Sequence, residues 1–299
     1  MTDPSIDEEG TTPWGDFLAE AETRLTAAGL PTARQEARWI IEEVSGVDAD
    51  EWTVGMTRPA TVRGVAAFDT KMAQRLGGEP IQYVLGRWQF RHLDLAVDRR
   101  VLIPRPETET LVDLVLGHLS GVDATSPTVV DLGTGSGAIG LSVAHEHPTA
   151  QVIATDISAD ALAVARANTA GLGRAGSRVR LHEGSWFEAL PVELAGTIDV
   201  IATNPPYIGA SESLPAEVAD WEPRQALVAG PRGIEDVEQI LVTAREWLTP
   251  GGAVMIEMAP DQTVPAVELA QLSGYERTSI ERDLAGKHRF VVATMPVTR

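Results

Sequence analysis

A chain of 299 residues with 43% hydrophobic and 22% charged side chains is long enough for two unequal domains of an ordinary globular protein. Its 24 basic against 43 acidic residues leave a net charge of −19, a field that repels polyphosphate and disfavours unspecific contact with nucleic acid. The absence of cysteine excludes disulfides and thiolate metal sites; the acidic start MTDPSIDEEG lacks the apolar centre of a secretory or transit peptide, and no apolar run reaches membrane-spanning length, so a cytoplasmic location is expected.

The first 80 or so residues read as a small helical bundle. Thr12 is placed to cap a helix and Pro13 to occupy its first position, with Trp14, Phe17, Leu18, Ala21 and Leu25 on one face and Gly29 as the stop. A second helix runs through Ala37, Ile40, Ile41 and Val44 to Gly46, and a third, around Val65, Met72 and Leu76, ends at Gly77 and Gly78. No constellation of catalytic side chains stands out in this bundle. From Ile81 the helical period gives way to alternation, with Leu93, Leu95 and Val97 on one face, which predicts a β-hairpin linker over 81–105. Pro104 and Pro106 hold the chain extended before a helix that begins near Glu107.

From 106 to 299 the pattern is α/β. Strand-like runs TVVDLG, QVIATD, RVRLHEG, IDVIATN and GAVMIEM are separated by helices from Ile139, over Ala159–Ala170 and over Glu235–Leu248, and a further helix lies near Val267. Apolar strands between helices predict a mostly parallel sheet covered on both faces. The last two runs, YERTSIERD and HRFVVATM, have no helix between them and are expected to pair antiparallel at an edge, making seven strands.

In VVDLGTGSGAIG the residues Gly135, Gly137 and Gly140 satisfy G-x-G-x-x-G between a strand and a helix, and Asp156 ends the next strand. A nucleotide-like ligand across the carboxyl ends of a doubly wound sheet fits this pattern. Asp131, two residues before Gly133, would set a negative charge against the pyrophosphate of a dinucleotide, whereas a phosphate-free ligand with cationic centres would be attracted. S-adenosyl-L-methionine, with its sulfonium, α-ammonium and ribose, is such a ligand. Asp156 would then accept hydrogen bonds from two ribose hydroxyls. The plainer alternative is that Asp131 only holds the loop by bonding its backbone amides. After the third strand, Ser185, Trp186 and Phe187 stand where an adenine ring would lie, either lining its pocket or simply joining the core.

The fourth strand ends in TNPPY. Two prolines remove two backbone donors and make a rigid carbonyl shelf, edged by the Asn204 amide and the Tyr207 phenol. A planar sp² nitrogen is a poor nucleophile, because its lone pair is delocalised. The Asn204 side-chain carbonyl and the Pro205 backbone carbonyl can each accept a proton of an NH₂ group and turn the nitrogen toward a sulfonium methyl, with Tyr207 stacking on the flat group. Such catalysis is mostly positioning, since the nitrogen can release its proton once alkylated. The catalytic and substrate-binding set is therefore Asn204, Pro205, Pro206 and Tyr207.

The segments GEPIQYVLG, LIPRPETE, DLGTGSGAI, TNPPYI, WEPRQALVAG and RDLAGKHRFV together resemble the HemK/PrmC protein-(glutamine-N5) methyltransferases, over almost the whole chain from about Trp14 to Val292. The resemblance implies a class I S-adenosylmethionine-dependent methyltransferase domain of Rossmann-like fold, preceded by a helical bundle for substrate recognition and a hairpin linker. It implies transfer of a methyl group to the side-chain amide nitrogen of the glutamine in the Gly-Gly-Gln motif of peptide chain release factors, leaving S-adenosyl-L-homocysteine. The cofactor set so expected is Asp131, Gly133, Thr134, Gly135, Ser136 and Gly137, then Asp156 and Ile157, then Ser185, Trp186 and Asn204. Two positions depart from the family pattern. Ser185 stands where an aspartate is usual before the Trp-Phe pair, and Met258-Ala259 stand where a glycine is common, which leaves room for altered cofactor affinity.

Glu107 and Glu109 invite a general-base reading, but negative side chains at a helix start also stabilise the helix dipole. Arg105 is placed either to meet a substrate or to bond a domain interface. The six histidines show no metal spacing, and no metal is expected. A monomer acting on protein, without direct nucleic-acid or membrane contact, is the expectation. A ribosomal-protein glutamine methyltransferase and, more remotely, an adenine-N6 methyltransferase acting on nucleic acid are the alternatives.

Overall fold

The structure, a computed structural model, describes residues 9–297 and divides into two compact units between Gly86 and Arg87. In the first, β1 (Glu9–Pro13) leads into α1 (Trp14–Ala27), followed by α2 (Ala33–Ser45), α3 (Trp52–Gly55), β2 (Pro59–Thr61), α4 (Val62–Leu76) and α5 (Ile81–Leu85). Residues one helical turn apart on α1, α2 and α4 bury Leu25, Ile40, Ile41, Phe68 and Met72 in one core. Across it, Arg75 of α4 clasps the Glu36 carboxylate with Nε and Nη2 at 2.6 and 3.1 Å.

Two expectations change here. Thr12 caps nothing: it lies in β1, whose antiparallel pairing with β2 carries Pro13 into extended geometry at the N-cap of α1. The hairpin starts later than Ile81. Pro80 at the N-cap and Gly86 at φ 79° bracket one short helix, α5, and the hairpin is β3 (Arg87–Phe90) with β4 (Leu93–Ala96). Leu93, Leu95 and Val97 are buried on one face, as the alternation requires.

The second unit continues from that hairpin through a 3₁₀ turn (Pro106–Thr108), α6 (Glu109–Leu119), β5 (Thr128–Leu132), α7 (Ala138–Glu146), β6 (Gln151–Asp156), α8 (Ala159–Gly171), β7 (Val179–Glu183) and β8 (Ile198–Thr203). It then adds β9 (Ile208–Gly209), α9 (Ala216–Ala219), β10 (Val228–Gly230), α10 (Glu235–Ala244), β11 (Leu248–Glu257), α11 (Thr263–Leu272), β12 (Arg277–Arg282) and β13 (His288–Thr294). Seven strands form one sheet in the order β12, β13, β11, β8, β5, β6, β7, and only β13 runs against its neighbours.

Alternate residues of the central strands feed two cores. Val130, Ile201 and Val254 point to one face, and Val129, Val200 and Met255 to the other. The helix expected to reach Leu248 stops at Ala244. Leu248 keeps the apolar spacing of α10, but the backbone has already joined the sheet, where Ile198 N donates to Trp247 O at 3.0 Å and Leu248 pairs with Ile198. Chain order reverses between β5 and β8, so the carboxyl ends of β5, β6 and β8 flank the crevice in which such sheets hold ligands.

Candidate active site

Beyond β5 the chain turns through Gly133, Gly135 and Gly137 at φ 69°, 56° and 91°. A Cβ on Gly137 would sit 2.7 Å from Leu141 Cδ1, so this position needs glycine for space as well as for its left-handed backbone. Asp131 is fully buried beneath the loop: its Oδ2 accepts from Thr134 Oγ1 at 2.6 Å and from Gly140 N at 2.9 Å, and its Oδ1 has no partner. Burial pushes this carboxyl up to about 6, against the pull of those two hydrogen bonds. Asp131 thus ties Thr134 of the loop to the first turn of α7. Thr134 and Ser136 are buried as well, with Thr134 N bonded to Thr155 O at 2.8 Å and Ser136 O accepting from Asn168 Nδ2 at 2.8 Å.

In front of the loop lies a cavity of about 420 Å³, within the usual range for a small-molecule site. Of the residues singled out in the sequence, Gly133, Gly135, Asp156, Ile157, Ser185 and Trp186 line it, together with Asn204 and Pro206. Asp131, Thr134, Ser136, Gly137, Pro205 and Tyr207 do not. Asp156 Oδ2 accepts from Gly135 N and its Oδ1 from Ser158 N, each at 2.9 Å. A carboxylate offers about four acceptor directions, so both oxygens keep capacity for a ligand. Burial raises the Asp156 carboxyl, and the backbone donors offset part of the rise. Ile157 is 64% exposed, an apolar side chain held at the cavity.

Trp186 has φ 42°, a left-handed backbone that is rare for a bulky residue and that places its ring beside Gly133. Burial raises the Asp236 carboxyl, and the neighbouring Trp186 side chain offsets part of the rise. Asp236 and Gln239, both on α10, line the cavity and carry no signal in the sequence beyond an ordinary amphipathic helix.

On the opposite wall, Asn204 donates from Nδ2 to Thr108 Oγ1 at 3.4 Å. Glu257, the last residue of β11, is 2% exposed, and its Oε2 has no partner. Burial pushes Glu257 up to about 7. Pro205 is buried, Pro206 faces the cavity, and the half-buried Tyr207 has its phenol raised by burial, which keeps it protonated at neutral pH. Gln262 locks the shelf by donating from Nε2 to Tyr207 O at 2.9 Å and to Gly233 O at 3.0 Å. Thr108, Glu257 and Gln262 come from three separate elements, which no local motif announces.

Part of the remaining lining comes from residues 100–102 and 223–228. Arg105 forms an ion pair with buried Glu222, and the Arg99 guanidinium lies 4.0 Å from the centre of the Trp221 ring. These contacts hold Pro223, Gln225, Ala226 and Val228 at the cavity. They also give Arg105 a partner that the sequence did not. Neither Glu107 nor Glu109 lines the cavity, and Glu109 Oε1 accepts from Arg91 N at 3.1 Å. Among the described residues no group of three or more acidic or histidine side chains is placed to hold a metal ion, and no helix is long and apolar enough to cross a membrane.

Comparison with known proteins adds three findings. The sequence profile of the PrmC N-terminal domain matches residues 16–86, and that of a methyltransferase domain matches residues 125–282. Release factor glutamine methyltransferases from Synechocystis sp. and Bordetella pertussis are 43% and 42% identical, over 93% and 89% of this chain and 94% and 95% of theirs. A crystal structure of a methyltransferase from Pyrococcus furiosus superposes on 76% of this chain and 99% of its own, with a TM-score of 0.50 at 20% identity, a likeness of fold.

Proposed function

The chain belongs to the release factor glutamine methyltransferase family, and on that premise we propose which residues carry the reaction. It is an S-adenosylmethionine-dependent protein-glutamine methyltransferase of class I fold. The observation that carries the residue-level reading is one cavity with a ribose-type carboxylate, Asp156, on one wall and the Asn204 carboxamide on the other.

The residues present fit S-adenosylmethionine. Its ribose hydroxyls match the free acceptor directions of Asp156, its adenine the apolar Ile157 and the ring of Trp186, with Ser185 beside them, and its amino-acid end the loop at Gly133 and Gly135. When bound, the cofactor supplies an electrophilic methyl group on a sulfonium. Asn204 Oδ1 and the Pro205 carbonyl each accept one proton of the substrate amide, which fixes the nitrogen and turns its free face inward. Tyr207, protonated, offers an apolar ring face and a donor near the shelf. After transfer the nitrogen would carry a positive charge and both protons; so acidic a group releases one proton to solvent while the other stays bonded to one of these acceptors, so no side chain need act as a strong base.

The target is the glutamine of the Gly-Gly-Gln motif of a release factor, reached by the enzyme as a monomer in the cytoplasm, where release factors act, without direct nucleic-acid contact. The net charge of −19 supports a protein target over a phosphate-bearing one. The N-terminal unit serves to bind the protein substrate. Transfer of labelled methyl from S-adenosylmethionine to purified release factor, ribosomal protein and nucleic acid in parallel tests the reading: label in the release factor supports it, and label only in one of the other two overturns it.

A further inference from the structure

Behind the glycine loop, the side chain of Asn168 on α8 ties together two stretches that are distant in sequence. Its Oδ1 accepts from Ala96 N at 2.7 Å, and its Nδ2 donates to Ala96 O at 3.0 Å and to Ser136 O at 2.8 Å. Ala96 is the last residue of β4, and the carboxamide meets its N–H and C=O as the backbone of a neighbouring strand would. Asn168 and Ser136 are both buried.

A carboxamide offers one oxygen and two N–H groups, and here the oxygen and the nitrogen both serve backbone partners. Its two ends cannot be exchanged, because two of the partners are carbonyls and the third is an N–H. An ionised aspartate would have no donor for the carbonyls. Leucine, of similar size, would leave all three groups without a partner. The residue type at 168 is therefore specified by its three bonds.

Both stretches lead into the cavity. Ser136 lies between Gly135 and Gly137, which have no side chains to anchor them, so the loop is held through its backbone: Gly135 N on Asp156 Oδ2, Gly137 N on Thr134 O, and Ser136 O on Asn168. From Ala96 the chain passes buried Val97 and reaches Arg100, Val101 and Leu102, which line the same cavity as Gly133 and Gly135. Asn168 itself does not line it. We infer that Asn168 is a positioning residue for the cofactor: it pins the glycine loop to the strap 97–102 and so shapes the end of the cavity that receives the amino-acid part of S-adenosylmethionine. The inference deepens the functional reading above and rests on its placement of that part at Gly133 and Gly135.

Two probes separate the ends of the cofactor in a calorimetric test. S-adenosyl-L-homocysteine carries the amino-acid end, and methylthioadenosine lacks it. In Asn168→Ala and Asn168→Leu the Kd for S-adenosyl-L-homocysteine should rise about 10- to 100-fold, the scale of leaving buried backbone groups without partners, while the Kd for methylthioadenosine stays within about threefold of wild type. In transfer to release factor, KM for S-adenosylmethionine should rise in step, and kcat at saturating cofactor should stay within about threefold. Thermal melting establishes that each variant is folded. A role in the fold alone would lower Tm and leave the ratio of the two affinities as it is in wild type.

An unchanged ratio in folded variants overturns the inference, whatever the loss of stability. Should neither variant fold, amide exchange in the wild type decides. S-adenosyl-L-homocysteine should slow exchange at Ala96 N, which is bonded to Asn168 and lies outside the cavity lining, and methylthioadenosine should not. Equal protection by both probes, or by neither, contradicts the pin. A wild type that binds S-adenosyl-L-homocysteine no more tightly than methylthioadenosine fails the placement of the amino-acid end, and this inference goes with it. A wild type that discriminates the probes yet labels no release factor fails the choice of substrate alone, and the ratio of affinities still decides the role of Asn168.

Discussion

Two carboxylates flank the substrate shelf and the cofactor loop, one lining the cavity and one buried outside its lining, and their settings are opposite. Asp156 faces the cavity with both oxygens steadied by backbone amides, so its charge is exposed to the ligand. Glu257 ends β11 outside the cavity lining, 2% exposed, with one oxygen bare. The first arrangement suits a ligand with many hydroxyls, where a strong acceptor is the recognition element. The second suits a neutral amide, where a bare negative charge in the cavity would attract cations and water.

The contrast can be broken most severely at the shelf. Removing the carboxamide by Asn204→Ala is expected to slow transfer about 10²- to 10³-fold, about 2.7–4 kcal/mol, the scale for losing one preorganised hydrogen-bonding group at a reaction centre. Cofactor affinity, measured by calorimetry, should hardly move. A comparable loss in both would mean that the walls are not separate.

Asp156→Ala is the converse. It should weaken S-adenosylmethionine binding by about 1.5–3 kcal/mol, the range for hydrogen bonds to a charged group, while transfer at saturating cofactor stays within a few fold of wild type. An unchanged Kd in a folded variant would place the ribose elsewhere.

Gln262→Ala tests the shelf's support rather than its face. Loss of the bonds to Tyr207 O and Gly233 O should slow transfer about two- to tenfold, matching about 0.5–1.5 kcal/mol for a neutral hydrogen bond, and leave cofactor binding alone.

The smallest effect is one of stability. Glu257 sits at about 7 in the folded chain against 4.5 for the free group, so the folded state holds this proton more tightly than the unfolded one. Its contribution therefore favours folding at low pH and is lost as pH rises from 4.5 through about 7. Glu257→Gln, which has no charge to bury, should melt about 2–4 °C above wild type at pH 8, with the gap closing towards pH 5. A variant less stable than wild type at pH 8 would show the ionised carboxylate to be well compensated.

How much of this the sequence discloses depends on whether the determinant is local. The alternation of apolar runs and helices announces the sheet, and the glycine loop, Asp156 and Asn204-Pro205-Pro206-Tyr207 each sit in one short stretch whose residue types state their geometry. The underside of the shelf does not. Thr108 follows a proline turn, Glu257 ends a strand and Gln262 opens a helix, and only the order of β8 and β11 in the sheet brings them together. Asp236 and Gln239 are invisible for the same reason. The misjudged boundaries have a related cause. Apolar spacing around Ile81–Leu85 and from Ile240 to Leu248 suits more than one backbone, and the pairing partner or the flanking proline and glycine decides.

One measurement bears most directly on the assignment of the two walls, the position of the transferred methyl by mass spectrometry on a release factor labelled by this enzyme. The account expects the methyl on the side-chain amide nitrogen of the Gly-Gly-Gln glutamine and no label at all when that glutamine is replaced by alanine. A methyl found on an adenine, or on the factor that lacks the glutamine, would contradict the reading of the shelf as a receptor for a protein carboxamide.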